Sequence, residues 1–278
     1  MGGRDSPSIR RSDSGSPGIA NRLLSVGLRL GIVLLLTGSA LSCTQQSGPD
    51  DRSCARAVNK SMYAVRSLLN GPSSAIVSVL GDSTGNSPRE WPALWAQTIA
   101  NSRRVDMHLW DRGLERYGSF VYRYGRRGPS LTIWNGSIPG ASSQVIEERL
   151  SELMPVRPSF VVVSVGHDEN TWDRGEGFRR LVESVLARLG SSVPVVALLQ
   201  NAALEPAAAR SKSNIANVKV QANAMCLPVV DVFTGFEQSD LASLITDDGD
   251  GVHPNDAGSR LWADIFASVM KGESRGPS

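Results

Sequence analysis

A chain of 278 residues, 41% hydrophobic and 20% charged, is long enough for one or two domains and too apolar to be disordered. Its 27 glycines and 15 prolines exclude a collagen-like or low-complexity chain. The net charge of +2 is confined to residues 1–42, which hold five arginines and two aspartates; residues 43–278 carry 24 basic and 25 acidic groups, net −1, which excludes the cationic surplus that drives non-specific nucleic-acid binding.

The chain opens on a leader. Leu30–Leu41 (LGIVLLLTGSAL) is a run of 12 apolar and small residues preceded by Arg29. A membrane-spanning helix needs about 20, whereas this length suits the apolar region of a signal peptide. Residues 1–42 are therefore expected to be a signal peptide, and the protein to be exported. Cys43 follows Ser39-Ala40-Leu41-Ser42, a context similar to the bacterial lipobox. Lipidation of Cys43 would anchor the chain to the outer face of the cytoplasmic membrane; a plain secretory signal and an uncleaved anchor are the alternatives. Cys54 and Cys226 then remain, either as a disulfide in an oxidising compartment or as two thiols.

Residues 43–72 read as a polar tether and a leading helix. Val58, Met62, Val65, Leu68 and Leu69 predict a helix over 57–69, ended by Asn70-Gly71-Pro72. Between residues 73 and 270, apolar runs alternate with helical periodicity. Strands are predicted at 75–80, 131–134, 160–165, 194–199 and 228–232, and helices around 91–100, 142–153, 178–189, 213–225 and 256–270. Continuous apolar strands separated by helices imply a five-stranded parallel sheet buried on both faces. The expected fold is a three-layer α/β/α sandwich of flavodoxin-like type. One segment breaks the rhythm: residues 105–130 hold Trp110, Tyr117, Phe120, Tyr122 and Tyr124 among Arg112, Arg116, Arg123, Arg126 and Arg127. It is either a hairpin covering a sheet edge or a substrate-facing flap. Residues 271–278 read as a disordered tail.

The chemistry-bearing residues follow the strands, where ligands bind in open α/β sheets. Gly81-Asp82-Ser83-Thr84-Gly85 directly follows the first strand, and its glycines permit a sharp turn that exposes the Ser83 hydroxyl. The block also satisfies G-x-S-x-G, the nucleophile elbow of α/β-hydrolases. That fold builds several strands before its elbow, and Ser83 follows the first. Asp250-Gly251-Val252-His253-Pro254 precedes the last helix, so one loop supplies both a base and the carboxylate to orient it. A calcium loop starting at Asp248 fails, because Val252 and Ser259 fall where ligands are required.

In this order the blocks resemble the SGNH (GDSL-like) hydrolase superfamily of serine esterases and acyltransferases. The resemblance spans about residues 73–270 and implies Ser83 as nucleophile, His253 as base and Asp250 as its orienting acid. It implies an oxyanion hole built from the backbone amides of Ser83 and Gly140, in Asn135-Gly136-Ser137-Ile138-Pro139-Gly140-Ala141. A third donor comes from the block aligned with Gly166-His167-Asp168-Glu169, where the family has asparagine and this chain has Asp168. An ionised carboxylate only accepts hydrogen bonds. Three readings stay open: Asp168 donates when protonated, His167 or Asn170 replaces it, or the two amides act alone. The resemblance implies no metal and no organic cofactor. The expected substrate is a small-molecule, glycan or lipid ester, with water or another hydroxyl as acyl acceptor. The rival is a non-catalytic envelope lipoprotein that binds glycan or a partner. A strand order of 2-1-3-4-5 among the five predicted strands separates this fold from the α/β-hydrolases.

Overall fold

The computed structural model describes residues 51–246 and 249–273. The signal peptide expected at 1–42, Cys43, the first part of the tether and residues 274–278 of the tail lie outside the described residues.

Helix α1 (Asp51–Asn70) starts earlier than the periodicity predicts and takes in the end of the expected tether. It turns Met62, Val65 and Leu69 inward, and leads to β1 (Ala75–Gly81) and α2 (Trp91–Ile99). The irregular segment forms β2 (Arg104–Asp111) and β3 (Arg116–Tyr124), followed by β4 (Ser130–Ser137). Then come α3 (Ser143–Glu148), α4 (Leu150–Leu153), β5 (Phe160–Ser164), α5 (Glu176–Leu189), β6 (Val195–Leu199), α6 (Ala208–Ala224), β7 (Val229–Asp231), α7 (Val232–Glu237) and α8 (Asp256–Lys271).

The sheet has seven strands rather than five, in the order β3-β2-β4-β1-β5-β6-β7. The five predicted strands are β1, β4, β5, β6 and β7, and their order is the 2-1-3-4-5 that excludes an α/β-hydrolase. The two additional strands come from the 105–130 segment. Strand β2 pairs in parallel with β4, and β3 returns antiparallel along it as the edge. The segment is therefore the expected hairpin on the sheet edge, and it covers β4 by pairing with it as two further strands. Its buried Val105 and Met107 alternate with half-buried residues, as on a strand near an edge.

Strand alternation sends side chains into two cores. Val77, Val79, Ile133, Phe160, Val162, Val196 and Leu198 meet α1, α2, α7 and α8. Val161, Val163, Val195, Ala197 and Leu199 meet α3, α4, α5 and α6. Within the first core Trp91 stacks on Trp262, with ring centroids 5.7 Å apart, and so binds α2 to α8. The helix predicted at 142–153 is broken at Arg149, whose φ of −112° and ψ of 14° leave the helical range. Cys54 on α1 and Cys226 after α6 form a disulfide with Cα atoms 5.0 Å apart.

Candidate active site

The site lies at the carboxyl ends of β1, β4 and β5, closed by the loop before α8. Asp82 is fully buried and fixes the turn after β1. Its Oδ1 accepts from the Thr84 backbone N–H at 3.0 Å and from the Thr84 hydroxyl at 2.8 Å. Asn135, at the end of β4, donates from Nδ2 to the Gly85 carbonyl at 2.7 Å and holds the far side of the turn. Ser83 is thereby left half-buried on a turn that others hold.

The loop before α8 is braced as firmly. The Thr246 N–H donates to the His253 carbonyl at 2.8 Å, and the Leu204 N–H to that of Gly251 at 2.8 Å. Gly251 has φ +72°, and a Cβ there would lie 2.7 Å from the Leu204 carbonyl oxygen, so only glycine fits. Asn255 caps α8 by accepting from Ala257 and Gly258. The result is a continuous relay: Asp250 Oδ2 lies 2.6 Å from His253 Nδ1, and His253 Nε2 lies 2.9 Å from Ser83 Oγ. Asp250 Oδ1 also accepts from the Val252 N–H at 2.7 Å, which fixes the carboxylate plane.

Gly140 has φ +73° and open space where a Cβ would stand. Among the described residues, neither the Ser83 nor the Gly140 backbone N–H donates to a protein acceptor. Both amides follow the carboxyl ends of adjacent strands, β1 and β4, where Gly81 pairs with Ser137.

The third block is differently arranged. His167 is buried, with Nδ1 3.0 Å from Ser211 Oγ and Nε2 3.1 Å from Asn201 Oδ1. Asn201 can only accept through Oδ1, so His167 donates from Nε2 and accepts at Nδ1. Burial lowers its pKa and keeps the ring neutral. Both ring nitrogens are spent, which removes His167 as an oxyanion donor. Asn170 accepts from the Trp172 N–H at 3.1 Å and caps a short 3₁₀ turn. The Asp168 side chain reaches solvent; the shielding its loop provides, and then the nearby Asp82 charge, raise its pKa.

Several functional partners were not visible in the sequence. Gln200, just past β6, donates to Asp82 Oδ2 at 2.7 Å and accepts from the His167 N–H at 2.8 Å. Asn201 donates to the Val252 carbonyl at 2.9 Å. Together they join the serine, His167 and His253 loops. Their one signal is position: two polar residues end an apolar strand. Buried Glu169 accepts from the Ser143 N–H and hydroxyl at 2.6 and 2.8 Å and ties the third block to α3.

Half-buried Glu90 accepts from the Ser87 N–H at 2.8 Å and faces His253 electrostatically. Burial pushes its pKa up to about 7. The folded chain holds this proton more tightly than the unfolded chain, so Glu90 favours folding below about pH 4.5, and the contribution is lost as pH rises through about 7. Glu90→Gln keeps an acceptor for Ser87 and is expected to flatten that loss. Thermal unfolding of both proteins at pH 4.5 and about pH 8 checks it.

Among solved structures the chain is similar to the lipase/acylhydrolase from Enterococcus faecalis, at 18% identity over 73% of this chain and 96% of that one, TM-score 0.51. It is similar to the acetylxylan esterase Axe2 from Geobacillus stearothermophilus, at 14% identity over 70% and 94%, TM-score 0.51. A lipolytic protein of the G-D-S-L family from Veillonella parvula matches at 15% identity over 71% and 97%, TM-score 0.50. At these identities the likeness establishes the fold. Comparison with curated proteins gives no match. The sequence model of the GDSL-like lipase/acylhydrolase family matches residues 76–261, from β1 into α8, and so takes in the Ser83 turn and the Asp250–His253 loop. The chain therefore belongs to the GDSL-like lipase/acylhydrolase family, the SGNH carboxylic ester hydrolases.

Proposed function

We propose that this protein is a serine esterase acting at the cell envelope on ester-linked acyl groups of a glycan, glycolipid or lipid. One observation carries the reading: the unbroken Asp250–His253–Ser83 relay. His253 accepts the Ser83 proton at Nε2 while Asp250 holds the proton on Nδ1. Ser83 Oγ attacks the ester carbonyl carbon, and the oxygen that gains charge faces the Ser83 and Gly140 amides. The tetrahedral adduct expels its alkoxide, which takes the proton from His253, and leaves an acyl-serine. Water repeats the sequence and frees the acid. Similarity to an acetylxylan esterase and to a lipase/acylhydrolase favours acylated sugars and lipids as substrates.

The apolar run 30–41, Cys43 and the Cys54–Cys226 bond favour export and lipid anchoring. A fluorophosphonate probe that cannot cross membranes tests both parts. It is expected to label intact cells carrying the wild-type chain and to miss the Ser83→Ala variant. Labelling only after lysis counts against export; equal labelling of the variant counts against Ser83.

Asp168 completes the oxyanion hole in its neutral form, since only then does it donate. Burial, and then the Asp82 charge, raise its pKa, and activity is expected to fall with rising pH as the group ionises. Asp168→Asn supplies a permanent donor. It should raise kcat/KM at neutral pH by about tenfold or more, a fraction of the roughly 10²–10³ that one such donor contributes. A pH–rate profile unchanged by the substitution overturns this role.

A further inference from the structure

The β2–β3 hairpin and the Gly140 loop enclose a cleft of about 260 Å³ that the acyl-transfer steps do not use. Its floor is apolar and fixed: Trp110 packs edge-on against Tyr117, with centroids 5.4 Å apart, and the Tyr117 hydroxyl donates to the Leu153 carbonyl at 2.7 Å. Gly140, whose amide is expected at the oxyanion, is among the residues that line the cleft. One wall is the hairpin tip. Asp111 Oδ1 accepts from the Gly113 and Leu114 N–H groups at 2.9 and 3.1 Å and so shapes that tip. Glu115 stands at φ +48°, a left-handed conformation costly for a residue with a side chain, and its carboxylate meets Arg149 at 3.0 Å. The pair bridges the hairpin and the α3–α4 junction across the cleft.

The charges in this wall do not balance. Glu115 neutralises Arg149 and Asp111 is spent on its own turn, whereas Arg112 has no carboxylate partner among the described residues. A guanidinium offers a planar fork matched to a carboxylate or phosphate. The volume is below the roughly 300 Å³ at which drug-sized pockets begin, so it takes one ring or a short chain.

We propose that this cleft is a substrate subsite for an anionic group carried by the ester, with Arg112 as the recognising cation and Trp110 as the apolar floor. The inference rests on the esterase reading of Ser83. It makes the substrate an acidic ester: a uronate-bearing sugar, a phosphate-bearing lipid or an acyl group ending in a carboxylate share this chemistry.

The test compares kcat/KM for two matched pairs. Phenyl acetate against 4-acetoxybenzoate places the anion on the leaving group, and phenyl hexanoate against monophenyl adipate places it on the acyl chain. The wild-type enzyme is expected to favour the anionic member of one pair by about tenfold. Arg112→Ala should bring that ratio near one, Arg112→Glu should invert it, and Arg112→Lys should restore part of it. No preference in either pair, or a preference that survives Arg112→Ala, overturns the subsite. Ligand-observed NMR of 4-acetoxybenzoate and monophenyl adipate on Ser83→Ala, with and without Arg112→Ala, needs no turnover. Arg112-dependent binding to Ser83→Ala, with the wild-type protein inert on all four esters, would overturn the esterase reading and keep the subsite; inertness without such binding overturns both.

Discussion

Ser83→Ala and His253→Ala are each expected to lower kcat on p-nitrophenyl acetate by about 10⁴–10⁶, and the double variant to be no slower than either alone. The relay predicts this non-additivity. His253 Nε2 is 2.9 Å from Ser83 Oγ, and once the hydroxyl is gone the imidazole has no proton to take. Asp250→Asn is expected to cost about 10⁴ without loss of fold. The reason lies in the second contact of the carboxylate. Asp250 Oδ1 accepts from the Val252 N–H at 2.7 Å, so an asparagine keeps its carbonyl oxygen there and turns its amide group toward His253 Nδ1. The ring must then accept at Nδ1 and carry its proton on Nε2, the tautomer that cannot take the Ser83 proton. Steady-state kinetics of the three single variants and the Ser83/His253 double variant check the pattern. Losses that multiply in the double variant would mean that the residues do not act as one unit.

The inner sheet was legible because its strands are buried on both faces, and continuous apolar runs such as Val195–Leu199 survive in the sequence as such. β2 and β3 were harder to place. They lie toward the edge, and the exposed Phe120 and Arg123 dilute the alternation that marks a half-buried strand. Periodicity also ran unbroken through Arg149, although the backbone there leaves the helix; a local conformational break has no signature in spacing. The site divides in the same way. Ser83, Asp250 and His253 sit in compact blocks whose residue types announce their chemistry. Gln200, Asn201, Ser211 and Glu169 are single polar residues that acquire roles from partners 26 to 118 positions away. Only the fold defines those pairings. His167 shows the consequence: adjacent to Asp168 in sequence, it is committed to Ser211 and Asn201 in the structure.

Arg103→Met is expected to destabilise the domain by about 3 kcal/mol or more while leaving turnover per folded molecule intact. Arg103 is 1% exposed, between α2 and β2 at the end of the sheet opposite Ser83. Its guanidinium donates to the carbonyls of Leu69 at 2.6 Å, Gly71 at 2.8 Å, Ser73 at 3.1 Å and Ser130 at 3.2 Å, and also to that of Leu68. The last carbonyls of a helix have no partner within it, and a cation there also meets the negative end of the helix dipole. One side chain therefore satisfies the end of α1 and ties the turn after it to the start of β4. Burial lowers the Arg103 pKa, but a guanidinium stays charged, so the charge depends on those five acceptors. Methionine fills much of the volume and donates nothing, which strands the carbonyls in a site that water reaches poorly. A loss of that size is a large share of the 5–15 kcal/mol typical of a domain. Urea unfolding monitored by fluorescence should show a lower midpoint at unchanged slope, with faster hydrogen exchange along α1. A midpoint shift worth less than about 0.5 kcal/mol would mean that the Cys54–Cys226 bond and the Arg66 contact with the Val269 carbonyl hold α1 without the clamp.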